Sequence, residues 1–69
     1  MTDSNALREW IKARGLKLNA IATAIGITPY SLQKKIDNET EFKASEIAVF
    51  VNDFGMLKSV RDKIFFAEM

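Results

Sequence analysis

Neither cysteine nor histidine occurs in the 69 residues, and these two absences remove most of the chemistry open to a small protein. Disulfides, thiolate nucleophiles, zinc-finger ligands and the usual general base are all excluded. The chain is also short: a domain of this length buries only roughly 60% of its unfolded surface, too little to wall an active-site cleft. The acids Glu39, Glu41 and Glu46 are the chemistry that remains, and they read as loop solvation and helix N-terminal charge. The expectation is a protein that is not an enzyme, with no catalytic residue, metal, cofactor or small-molecule substrate. No run approaches the roughly 18 apolar residues of a membrane span. The opening MTDSNALREW is polar and acidic before its first apolar stripe, so a cytoplasmic protein without membrane contact is expected.

What is present is hydrophobic residue at helical spacing. Nearly half the residues are hydrophobic, with one proline and three glycines to interrupt them, which favours a folded chain over a disordered one. Leu7, Trp10 and Ile11 form the stripe of a first helix over about 5–14, which Thr2, Ser4 or Asn5 can cap and Gly15 ends. Trp10 is in register with that stripe and reads as a core anchor rather than a base-stacking residue. Ile47, Phe50, Val51 and Phe54 mark the main core helix over 44–54, with Phe42 plugging the gap ahead of it and Gly55 ending it. A last helix over about 58–66 carries Val60 and Ile64. The final KIFFAEM is compatible with extended chain, although helix is favoured. The fold class expected is all-α, a single five-helix domain over 1–69.

The stretch LNAIATAIGITPYSLQKKI, residues 18–36, is the part that states a function. Leu18, Ile21, Ala22 and Ile25 make a short amphipathic stripe over 18–25, and Gly26 follows where a left-handed residue would stop the helix. Ile27 enters the core, Thr28 caps a helix over 29–37, and Pro29 fits its first turn. Leu32 and Ile36 face inward, and Asn38 closes the helix because Asn tolerates the left-handed conformation. Ala22 is small where two steeply crossing helices need a close approach. Together these are the spacing of a helix-turn-helix, whose second helix lies in the major groove of DNA.

Charge concentrates in the same place. Residues 7–36 hold Arg8, Lys12, Arg14, Lys17, Lys34 and Lys35 against Glu9 alone, a local balance of +5 inside a chain of net charge +1. From residue 37 onward, four cations face seven acids. A basic half that coincides with the motif is the electrostatic footprint of nucleic-acid binding.

From GLKLNAIATAIGITPYSLQKKIDNETEFKASEI, residues 15–47 resemble the Cro/CI-type, lambda-repressor-like helix-turn-helix of phage repressors and their bacterial Xre-like relatives. More narrowly the chain is similar to the short Cro-like proteins of Gram-positive phages and prophages, in which a "SKK-hydrophobic-N-G" run precedes a "SEF" loop and an "E-I" helix and the chain ends in "IFFA". Here those segments are LQKKIDNETEF, KASEI and residues 64–67. The resemblance implies a transcriptional repressor in a bacterial host cell, acting on an operator in double-stranded DNA. It implies base reading by Thr28, Pro29, Tyr30 and Ser31 in the first turn of the third helix, with Gln33 and Lys34 one turn on. Lys34 would meet guanine N7/O6, and Tyr30 would bond a base or pack on a thymine methyl. Phosphate contacts fall to Lys17, Asn19, Lys35, Asn38 and Lys43, with Thr28 beside them. Three departures stand out: Leu18 replaces a phosphate-bonding Gln, Lys17 and Lys43 replace capping Thr at the starts of the second and fourth helices, and Lys35 occupies a place that is apolar in many relatives.

One short helix reads few base pairs, so such modules double up on half-sites about 34 Å apart. A weak homodimer is therefore expected. One of Phe65 and Phe66 would pack inward with Ile64, leaving the other with Met69 or Met56 as an exposed apolar patch; both Phe side chains closing the core is the competing arrangement. A different class of function is also open: Leu18 and the near-neutral net charge suit a protein-interaction module, such as an antirepressor or antitoxin-like partner, that keeps the fold without binding an operator.

Overall fold

The computed structural model describes residues 1–66. Five helices follow one another, α1 (Ser4–Ala13), α2 (Leu18–Ile25), α3 (Pro29–Ile36), α4 (Ala44–Phe54) and α5 (Lys58–Phe65), with no strand among the described residues. The all-α fold is as expected, and each helix lies within one residue of its expected bounds. Lys63–Phe65 are helical and Phe66 ends α5; the remainder of the KIFFAEM segment lies outside the described residues.

Phe50 in α4 is the centre of the core. It has no exposed surface, and its ring meets Trp10 of α1 edge-on at 6.0 Å, Phe42 at 5.8 Å and Phe65 of α5 at 5.3 Å. Around it Leu7, Ile21, Leu32 and Ile36 are completely buried, each contributing about 1.5–3 kcal/mol through removal from water. Trp10 is half-buried and packs against this core, in register with its stripe, and the Arg14 guanidinium lies over its ring at 5.0 Å. Phe42 also meets Phe65 edge-on, with ring centroids 5.1 Å apart.

The start of α1 differs from expectation. Asp3 is its cap, accepting the Ala6 amide at 3.0 Å, while Thr2 is buried and Ser4 opens the helix and donates its hydroxyl to the Ile36 carbonyl. The chain before α1 is held from two sides. The Asn38 amide group accepts the Thr2 N–H at 3.0 Å and donates to the Thr2 carbonyl at 2.7 Å, and the Asp3 N–H donates to the Ile64 carbonyl at 2.7 Å. Asn38 has φ 65°, the left-handed conformation expected of it, and this turn aims its side chain back at residue 2.

α1 packs on α3 and α5, α2 on α3 and α4, and α4 on α5. The two exposed faces that result, of α3 and of the α2 start, belong to the basic half of the chain.

Candidate nucleic-acid interface

The turn between α2 and α3 is built from local bonds. Gly26 adopts φ 88°, a conformation a side chain would strain, and lets both its own amide and that of Ile27 reach the Ala22 carbonyl, at 2.8 and 3.0 Å. Ala22 is buried, and α2 packs against α3. Thr28 then caps α3, accepting the Ser31 amide at 3.1 Å and donating to the Ser31 hydroxyl at 3.0 Å. Pro29 takes the first helical position, where its missing N–H is no loss.

With Leu32 and Ile36 buried, α3 turns Tyr30 outward; it is 71% exposed. Lys34 lies one turn further along, half-buried, with its ammonium 5.4 Å from the centre of the Tyr30 ring. Thr28, Pro29 and Gln33 are exposed and Ser31 is half-buried. The six residues expected to read bases thus lie in one helix and its cap, with Tyr30 and Lys34 forming a paired projection.

The expected phosphate contacts divide. Lys17 and Asn19 are exposed at the start of α2, and Lys43 is exposed at the start of α4. Lys17 provides no side-chain cap, as expected of an ammonium, which has no acceptor. Lys35 is a correction: its ammonium lies 3.2 Å from Glu46 Oε1, with the two side chains 12% and 9% exposed, and it donates to the Glu41 carbonyl at 3.0 Å. Its position beside the Leu32–Ile36 stripe carries it inward rather than to solvent. Asn38 is exposed, and its amide is engaged with Thr2 and with the Ser4 hydroxyl at 3.1 Å.

Glu46 is the helix N-terminal charge expected, in the first turn of α4. It is buried and accepts the Lys43 amide at 2.8 Å, half of a capping box whose other half Lys43 cannot supply. A glutamate three positions into a helix that lacks a capping Ser or Thr is the sequence signal for this role. The remaining cations are variously occupied: Arg8 pairs with Asp37, both about half exposed, and Arg14 donates to the Phe54 carbonyl at 3.3 Å. Lys12 and Lys17 are exposed.

Near the end of the chain, Phe65 packs inward with Ile64, as expected of one of the two phenylalanines, whereas Met56, a candidate for the exposed patch, is core. Met56 and Phe65 are 2% and 5% exposed, because the turn at Gly55 folds Met56 back so that its amide meets the Phe50 carbonyl at 3.0 Å. Phe66 is the phenylalanine that faces outward, at 56% exposure, with Arg61 5.8 Å from its ring centre. It borders a cavity of about 160 Å³ with Met1, Phe42 and Ile47. Met69 lies outside the described residues. No helix among the described residues is long and apolar enough to cross a membrane.

Comparison of the chain with protein-family models, with curated proteins and with solved structures found no match.

Proposed function

We propose that the protein is a sequence-specific regulator of transcription that binds double-stranded DNA through a helix-turn-helix formed by α2 and α3, in the manner of the Cro-like repressors its sequence resembles. The observation that carries the reading is the outer face of α3. Tyr30 and Lys34 project side by side from a helix whose opposite face is buried and whose first turn is locked by the Thr28 cap. An outer helix face carrying an aromatic hydroxyl, an amide and an ammonium suits the donor–acceptor pattern of the major groove, which admits an α-helix. Lys34 reads guanine, Tyr30 the neighbouring base, and Lys17 and Lys43 neutralise phosphates. The protein acts as a weak homodimer joined near Phe66.

Two copies each placing Lys17 and Lys43 on phosphates neutralise about four charges, so log K should fall with log salt at a slope of about −3 to −4. Titration of a random duplex and of a site selected from a random DNA pool checks this: the selected site should bind more tightly, and both should show the slope. Affinity independent of salt would exclude the reading.

A specific feature favours the protein-interaction reading as second. Leu18, at the start of α2, lines a cavity of about 240 Å³ with Ile11, Leu16 and Ile36, rimmed by Arg8 and Lys12. An apolar floor with a cationic rim suits a protein segment carrying apolar and acidic side chains. In that case the protein would bind no duplex even at low salt.

A further inference from the structure

We propose that the Lys35–Glu46 ion pair sets the rotation of α3 about its own axis, and so selects which side chains the helix presents; this rests on reading α3 as the recognition helix. α3 brings its backbone close to α1 and α2, and among the described residues it makes no such approach to α4. On the α4 side, α3 is therefore held through side chains.

At 3.6 residues per turn, Ile36 lies about 40° around the axis from Leu32 and Lys35 about 60° the other way, while Tyr30 and Lys34 lie about 160° from Leu32 on either side. Leu32 and Ile36 anchor the helix, but apolar contact is non-directional, and two such side chains tolerate a modest rotation. A charged, hydrogen-bonded contact does not. Lys35 reaches Glu46 at 3.2 Å and the Glu41 carbonyl at 3.0 Å, and Glu46 is itself fixed by the Lys43 amide at 2.8 Å. The far end of the contact is thus part of the start of α4 and cannot follow a turning α3. Rotation in either direction separates charges in a place where water reaches neither side chain freely.

A hydrophobic pair would hold the helix as firmly but with less definition of its angle, because buried ion pairs add little net stability and their best-attested use is to specify register. Lys35 is accordingly a positioning residue. It touches no DNA and determines where Tyr30, Gln33 and Lys34 point.

The test is the double variant Lys35→Met with Glu46→Gln, which removes both charges and keeps an acceptor for the Lys43 amide. It should melt close to the parent protein. Its affinity for random duplex should change less than twofold, whereas the ratio of selected-site to random-duplex affinity should fall about tenfold. Residual dipolar couplings of the α3 amides, referred to the frame of α1 and α2, should show the helix rotated or its orientation averaged. An unchanged affinity ratio would overturn the proposal. If the parent itself shows no preference in a random DNA pool, the DNA reading fails separately and the couplings decide alone: α3 oriented as in the parent would overturn the proposal, and a rotated or averaged α3 would uphold it. Should the double variant not fold, Lys35→Arg, which keeps the charge and displaces its donors, is read by the same two measurements.

Discussion

Lys34 and Lys35 are neighbours in sequence with the same chemistry, and the two sides of α3 on which they lie put them to opposite use. On the outer side the Lys34 ammonium rests over the exposed Tyr30 ring. On the inner side the Lys35 ammonium is enclosed between Glu46 and the Glu41 carbonyl. One step of about 100° along a helix separates a charge available to a ligand from one committed to the fold. A count of basic residues therefore overstates the charge that a surface offers.

The largest effect should come from breaking the inner side alone. Lys35→Met leaves the Glu46 carboxylate with only the Lys43 amide as a partner, and removing one member of a buried pair costs about 3 kcal/mol or more. In a domain of this size the thermal midpoint should drop by more than about 10 °C. A melting curve that moves by only a degree or two would mean that the inner lysine is as dispensable as the outer one.

Overpacking the α2–α3 contact should cost somewhat less. Ala22→Leu places a larger side chain where the two helices meet and should destabilise by about 1–3 kcal/mol; an unchanged denaturant midpoint would show that the crossing has room to spare.

On the outer side, Lys34→Ala should leave stability within about 0.5 kcal/mol while weakening the selected DNA site by about 1–3 kcal/mol and relaxing preference at one base pair. Equal losses on selected and random DNA would remove Lys34 from the base-reading face. The smallest change is expected for Lys17→Ala, which should weaken all duplexes alike and lower the magnitude of the salt slope by about 0.9 for each copy bound.

The apolar stripes were sufficient to place all five helices, because a period of 3.6 and a glycine at a left-handed turn are local signals. Gly26, Thr28 and Pro29 carry the α2–α3 turn in the same local way. What periodicity does not carry is the direction of a long polar side chain at the edge of a stripe. Lys35 has a stem that reaches water or core equally well, and its partner Glu46 is brought within reach only by the loop between α3 and α4. Asn38 shows the same division: its backbone conformation follows from residue type, but its side-chain partners lie 36 residues away at Thr2. Which of Phe65 and Phe66 packs inward, and that Met56 is core, were not legible, because apolar composition near the end of a chain says little about which side chains a final turn folds under.

The contacts made by Thr2 and Asp3 also bear on how the molecule comes apart. Residue 2 is tied to the end of α3 and residue 3 to α5, so the first residues close a ring of contacts through the third and fifth helices instead of trailing from the first. Fraying, the ordinary low-energy opening of a small domain, is thereby suppressed at this end. The Asp3 amide should exchange its hydrogen with solvent on the timescale of global unfolding, in step with the core of α5.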